Sequence, residues 1–441
     1  MEKTRRDFIK IAGGAAIGAG TLLSGCREEE EKEVEKRGEI PKEPVKIAAV
    51  SFLTGVAAAP FGIPGNNTFE MLSEKINADG GIMGRKIELL SKDEAGGVDA
   101  QVKLARKLIL DDKVDVILGY ISSADCKAVM PLSDELGDLI VAYDCGTQEL
   151  MEGSNSPFPV PKYELGFRTA ATLGLDNIGL ALMIKKYFPD IKRIAGINPD
   201  YAWGRDSWSI FEESMKKLMP QVEVVGTWWP PLFTTDYTAH ISALIGAAPD
   251  IVHTAFWGGD AVTFTKQALG LGLFDKMTVA YSRGEPIPQE IGKDFPENQI
   301  IGCAGPHYFL YPPQDKWPLN KQFVDEYQKK YGKYPTYPCY HAYQAIYSYK
   351  AAVEKAGSLT GGWPTVDEVA DAMTGLGIQT PSGNITIRAD HNAIEDGLFG
   401  FTKLTSKYPF PILDPERIEV FPAFLVNPPV GIRTVDWINS W

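Results

Sequence analysis

The chain has little of what redox and metal chemistry need. Only five of its 441 residues are cysteine and five are histidine. Cys26, Cys126, Cys145, Cys303 and Cys339 stand far apart with no CxxC pair, which argues against a zinc site, so no metal is expected. GxSxG, P-loop and HExxH motifs are absent, as is a GxGxxG following a strand, so no recognised enzyme class is indicated and no cofactor is expected. Positive charge is also scarce. The formal net charge is −13, and no basic patch offsets it. Such a surface repels nucleic acid and anionic lipid headgroups.

The N-terminus carries the most specific signal. Thr4-Arg5-Arg6-Asp7-Phe8-Ile9-Lys10 sets a twin arginine before an apolar stretch running from Ile9 to Leu23. That stretch is too short to cross a bilayer, which takes about 20 apolar residues. It reads as the core of an export signal, and its arginine pair resembles a twin-arginine signal. It ends Leu23-Ser24-Gly25-Cys26, which resembles a bacterial lipobox, so cleavage before Cys26 and lipidation of that thiol are expected. Loss of residues 1–25 would take the net charge from −13 to about −15. Residues 27–44, with Glu28 to Glu31 and two prolines, read as a flexible acidic tether.

The globular part begins at Val45, and the remaining length exceeds one ordinary core and suits two. Strand and helix alternate. Apolar strands are predicted at 45–50, 86–90, 114–118 and 139–142, with helices at 66–78, 100–110 and 126–136 between them. The pattern then restarts. Helices at 170–187, 205–218, 237–245 and 261–269 alternate with strands at 191–197, 222–227, 251–255 and 277–280. Short continuous apolar runs between helices indicate parallel sheets covered on both faces. The predicted fold class is therefore α/β, with two doubly wound parallel-sheet lobes facing a cleft. Helices at 319–331, 340–356 and 366–375 and short strand-like runs in the last sixty residues follow.

At this level the chain resembles the type I periplasmic binding proteins, in particular the branched-chain amino-acid (Leu/Ile/Val) binding family of ABC transporters. Val50-Ser51-Phe52-Leu53-Thr54-Gly55 is similar to that family's first strand and turn. The stretch Ile76 to Leu89 is similar to its first helix end and second strand, followed by the acidic pair Asp93-Glu94. Gly119 to Ser123 resembles its ligand-cradling loop, and Asp200-Tyr201-Ala202-Trp203-Gly204 its second-lobe loop. The resemblance implies a three-crossover hinge. It puts residues 45–165 plus about 305–375 in lobe one, and 166–304 plus about 376–441 in lobe two. It also implies a small-molecule ligand, permease subunits in the membrane as partners, and an exported, lipid-anchored monomer facing the periplasm or exterior.

Site expectations follow. Ser122 and Ser123 stand where a strand meets a helix N-terminus, whose free N–H groups suit a carboxylate or carbonyl oxygen. The same residues also suit simple helix capping. By resemblance, Ser123 and Thr147 grip a ligand carboxylate and Cys145 contributes a backbone group. Trp203 takes the place of an aromatic wall in lobe two. Thr234 falls where the family carries a carboxylate for a ligand ammonium, which puts an amine-bearing ligand in doubt; Asp260 or Glu285 could substitute. Asp236 reads as a cap for the following helix. Phe61, Trp257 and Tyr281 lie at loop or strand ends where open α/β sheets hold ligands, so a flat or apolar carboxylate or amide is expected. One or two disulfides could form in an oxidising compartment, with their pairing open. Two other classes remain: a ligand-sensing module for a signalling receptor, which would use the same cleft, and an α/β enzyme without a recognised motif.

Overall fold

The computed structural model describes residues 40–441. The export signal, Cys26 and all but the end of the tether lie outside these residues.

The first sheet is built by β1 (Val45–Ser51), β2 (Ile87–Asp93), β3 (Val116–Gly119), β4 (Ile140–Ala142) and β5 (Gly166–Arg168). Its order is β2-β1-β3-β4-β5, and every neighbouring pair is parallel. Helices α1 (Ile63–Ala78), α2 (Val98–Leu110), α3 (Ser123–Val129) and α4 (Leu132–Leu136) connect the strands. The expected single helix at 126–136 is split, with Pro131 at the break. Proline has no N–H to continue the helical ladder and restricts the residue before it.

The second half runs α5 (Leu173–Tyr187), β6 (Arg193–Ile197), α6 (Ala202–Leu218), β7 (Glu223–Trp228), α7 (Thr238–Ala247), β8 (Ile251–Thr254), α8 (Gly258–Gly270), β9 (Thr278–Tyr281), α9 (Ile287–Ile291) and β10 (Ile300–Gly302). The chain then returns to the first half through α10 (Pro318–Tyr331), α11 (Tyr337–Thr360), α12 (Val366–Met373) and a small antiparallel sheet, β11 (Gly377–Thr380), β12 (Gly383–Ile387) and β13 (Ala393–Ile394). It crosses once more to β14 (Gly397–Lys403) and β15 (Ile412–Phe421), then ends in α13 (Ala423–Val426) and α14 (Thr434–Asn439). The second sheet has seven strands, β15-β14-β10-β9-β8-β6-β7, of which β14 and β15 are antiparallel additions.

Local chemistry explains several boundaries. The Thr172 hydroxyl accepts from the Leu175 N–H to open α5, and Thr365 with Glu368 forms a capping box at α12. The Asp236 carboxylate accepts from the Thr238 N–H at 2.9 Å, but the N-cap of α7 is Tyr237, so Asp236 stands one residue ahead of the capping position expected of it. β1 and β3 are almost wholly buried, as strands covered on both faces must be.

Two expected boundaries shift. Strand 166–168 pairs with β4 and completes the first sheet rather than opening the second half. The segment 377–394 was expected with the second half. Instead Ile385, Ile387 and Ala393 share a core with α11, and Asn392 bridges Arg168 of β5. Arg168 fixes this junction. Its fully buried guanidinium donates to Asn392 Oδ1 at 2.8 Å, to Thr147 O at 2.8 Å and to Gly146 O at 3.1 Å. One side chain thus joins the first crossing to the third.

Candidate functional site

Residues following the C-terminal ends of β1, β3 and β4 and of β6, β8 and β9 converge on a narrow cavity. Aromatic rings make most of its wall. Phe61 packs edge-on to Trp257 (centroids 5.4 Å apart) and to Tyr337 (4.9 Å). The indole N–H groups of both tryptophans are already bonded. Trp257 donates to the Tyr201 hydroxyl at 2.7 Å and Trp203 to Ala255 O at 2.7 Å, so each ring is fixed in place. Phe61, Trp203 and Trp257 are each no more than 5% exposed.

Two charged side chains complete the wall. Arg283 follows β9 and lies over the Trp203 ring, 4.7 Å from its centroid. Its Nε donates to Asp176 Oδ2 at 2.7 Å and its Nη2 to Ala171 O at 2.7 Å. Its Nη1 is 3.6 Å from Asp144 Oδ1, too long for a hydrogen bond. Asp144 follows β4, in the opposite half. Its Oδ1 is 2.6 Å from His341 Nδ1, and its Oδ2 is buried without a hydrogen-bond partner among the described residues. A buried polar atom left unpaired costs about 1–3 kcal/mol, so the cavity holds a standing demand for a donor at Oδ2. Burial raises the Asp176 carboxyl to about 6, against the pull of Arg283.

Several predicted site residues serve other ends. Of the N–H groups around the start of α3, those of Ile121 and the N-cap Ser122 are taken by the chain's own Glu94. Its carboxyl accepts from Ile121 N at 2.9 Å and from Ser122 N at 2.7 Å. Burial first, then the nearby Asp125, pushes the Glu94 carboxyl well above the usual range. Ser122 caps α3, accepting from Asp125 N, and Ser123 begins the helix, almost fully buried. The Cys145 thiol is consumed in a disulfide with Cys126 of α3. Thr147 donates its hydroxyl to Asp206 Oδ2 at 2.5 Å. Thr234 is a surface turn residue bonded to Pro231 O. Tyr281 belongs to the second core, where its hydroxyl meets Thr265 Oγ1 at 2.9 Å.

Neither proposed substitute counter-charge lines the cavity. Asp260 accepts from Phe233 N at 2.9 Å, and Glu285 accepts from Tyr337 N at 3.0 Å. The sequence reading passed over Asp144, Tyr201, Arg283 and Tyr337. The first three adjoin motifs it used. Arg283 sits just past the end of β9, the feature that drew attention to Tyr281. Tyr337 opens α11, for which no strand-end signal exists.

One group among the described residues could hold a metal ion: His307, His341 and Glu395, all buried, beside but not in the cavity wall. Among the described residues no helix is long and apolar enough to cross a membrane.

The comparisons agree with this architecture. Residues 44–405 match the family model described as periplasmic binding protein. A Leu/Ile/Val-binding protein homolog 4 of Brucella abortus is 25% identical over 358 residues, covering 79% of this chain and 81% of the relative. The leucine-, isoleucine-, valine-, threonine- and alanine-binding protein of Pseudomonas aeruginosa is 24% identical, covering 77% and 85%. Among solved structures, a solute-binding protein of Rhodopseudomonas palustris in complex with 3,4-dihydroxybenzoic acid superposes with a TM-score of 0.73 at 23% identity, covering 88% of this chain and 99% of that one. A leucine-binding protein of Thermotoga maritima gives 0.70 at 19%, covering 86% and 99%. These are solute-binding proteins rather than enzymes, and their family is an exported one that works with membrane permeases. With its two doubly wound sheets facing one aromatic cavity, the chain has the type I periplasmic binding fold and belongs to the periplasmic binding protein family.

Proposed function

We propose that the protein captures a small carboxylate- or amide-type solute between its two halves and delivers it to an ABC importer, working as a lipid-anchored monomer tethered through Cys26. One observation carries the reading of the ligand. Arg283 and Asp144, from opposite halves, both line the cavity; Nη1 lies 3.6 Å from Asp144 Oδ1, and Asp144 Oδ2 has no partner among the described residues. A planar amide edge answers both, its carbonyl accepting from Arg283 and its N–H donating to Asp144. A carboxylate answers Arg283 alone. The ring-lined wall favours a flat or apolar body. The benzoate-type ligand of the Rhodopseudomonas neighbour and the aliphatic amino acids in the relatives' names bracket this chemistry.

A thermal-shift series with benzamide, 4-hydroxybenzoate, urea and leucine tests it. A ligand at 100 times its dissociation constant should stabilise by about 2.7 kcal/mol. The amide or the aromatic acid should shift the melting temperature at least as far as leucine does. If α-amino acids alone produce a shift, the ligand reading fails while the solute-capture reading stands. If none of a broad panel of small solutes binds, the solute-capture reading fails.

A further inference from the structure

We propose that His307, His341 and Glu395 form a binding site for one divalent transition-metal ion of the zinc class, at the point where the chain crosses between its halves. His307 lies on the second crossing, after β10, Glu395 on the third, between β13 and β14, and His341 near the start of α11. One donor atom from each lies within 4.8 Å of the others, and none of the three residues is more than 4% exposed.

The arrangement around the cluster is that of an orienting shell. His307 Nδ1 is 2.8 Å from Ser382 Oγ, and His341 Nδ1 is 2.6 Å from Asp144 Oδ1. Glu395 Oε2 accepts from Gln344 Nε2 at 2.8 Å. Each outward atom is anchored, and the inward atoms are Nε2 of both histidines and Oε1 of the glutamate, which the ion would take over from the bonds they now make, His307 Nε2 with Glu395 Oε1 at 3.1 Å and His341 Nε2 with Ala304 O at 3.0 Å. Metal-binding histidines are ordinarily oriented through their other nitrogen in this way, often by a carboxylate. The Ala304 carbonyl, 3.0 Å from His341 Nε2, offers a fourth oxygen.

The donor atoms, now within 4.8 Å of one another, must draw in around an ion. Bonds of about 2.0–2.2 Å in a tetrahedral shell set ligand atoms roughly 3.4 Å apart. His307 Nε2 and Glu395 Oε1 are already 3.1 Å apart. Two imidazoles and a carboxylate suit zinc, cobalt(II) or iron(II) rather than calcium or magnesium. Gly305, at φ +112°, brings its backbone against the same point. A Cβ there would lie 2.5 Å from His307 Nε2 and 2.8 Å from Glu395 Oε1, so only glycine fits. Through His341 and Asp144 the ion would touch the wall of the solute cavity and tie both crossings together.

Cobalt(II) is the probe, because its visible d–d absorption reports ligand number and type. Chelator-stripped full-length protein should take up one equivalent of Co²⁺, with zinc displacing it. Glu395→Gln, which keeps the side chain's shape, and His307→Ala should each weaken uptake at least tenfold. His240→Ala, outside the cluster, should leave it unchanged. Circular dichroism establishes that each variant is folded, and Glu395→Gln decides the matter if His307→Ala is not. The proposal is overturned if the wild-type protein takes up no equivalent of cobalt either when folded or when refolded in its presence. It is equally overturned if uptake survives both substitutions unchanged.

Discussion

Thr147 and Asp206 are joined across the two halves of the chain, the hydroxyl donating to Oδ2 at 2.5 Å. Thr147 follows β4, and Asp206 sits in the first turn and a half of α6. The bond exists only when the halves are together, so it stabilises the closed form rather than either half. Burial raises the Asp206 carboxyl and the Thr147 hydroxyl opposes that rise. A hydrogen bond to a charged group contributes about 1.5–3 kcal/mol. Thr147→Val should therefore weaken solute binding by about tenfold or more through a less favourable closure, with each half still folded. Calorimetric titration of wild type and variant measures the change. Unaltered affinity would exclude the bond from closure.

What was legible in the sequence, and what was not, follows from range. Buried parallel strands are short continuous apolar runs, so β1, β3, β6 and β8 stand out. β5 and β10 span three residues each and offer no pattern to detect. The aromatic wall was legible at Phe61, Trp203 and Trp257, because strand ends on a doubly wound sheet point at its ligand crevice. The polar part was not. A helix N-terminus invites an anion, but sequence does not reveal that Glu94, just past the end of β2, reaches the N–H groups beside it. Thr147 and Asp206, Arg283 and Asp144, and Cys145 and Cys126 are likewise pairings of distant residues that only the fold brings together.

Arg283 serves both structure and binding, and the two roles separate by substitution. Its Nε and Nη2 hold Asp176 and the Ala171 carbonyl, Nη1 lies 3.6 Å from Asp144 Oδ1, and the residue lines the cavity. Lysine keeps the charge but has no planar fork to serve three directions. Arg283→Ala leaves Asp176 buried without its cation and should cost roughly 3–5 kcal/mol of stability. Arg283→Lys should retain more of the stability and still lose solute binding by more than tenfold. Urea denaturation and ligand titration on the two variants give the comparison. A lysine variant with full affinity would show that charge alone, not the fork, meets the ligand.

The Cys126–Cys145 disulfide closes a loop with a sequence separation of 19 beside the cavity. A cross-link of this span stabilises by about 3 kcal/mol. A reducing agent should lower the unfolding midpoint accordingly, and Cys126→Ala with Cys145→Ala should match the reduced protein. Cys303 and Cys339 are buried, and burial raises the Cys339 thiol to about 11. Both should resist alkylation until the chain unfolds. Thiol labelling before and after denaturation distinguishes them: rapid modification of either in the folded protein would contradict their burial.

Glu285 makes the pH dependence of stability testable at one residue. It is fully buried and accepts from the Tyr337 N–H at 3.0 Å, but its Oε1 has no partner among the described residues. Burial pushes its carboxyl from 4.5 up to about 8. Between those values the folded chain holds a proton that the unfolded chain has released. Stability therefore falls as pH rises through that window, by a few kcal/mol in all. Glu285→Gln mimics the protonated side chain and cannot ionise, so this part of the decline should vanish. Asp125, Asp138 and Asp260, also raised to about 6 by burial, act equally in both proteins and cancel in the difference. Urea midpoints at about pH 5 and pH 8 should draw apart for the wild-type protein more than for the variant, with the variant the more stable at the higher pH. Equal changes in both would mean that Glu285 is already ionised in the folded chain, and would require a cation or an ordered donor beside Oε1.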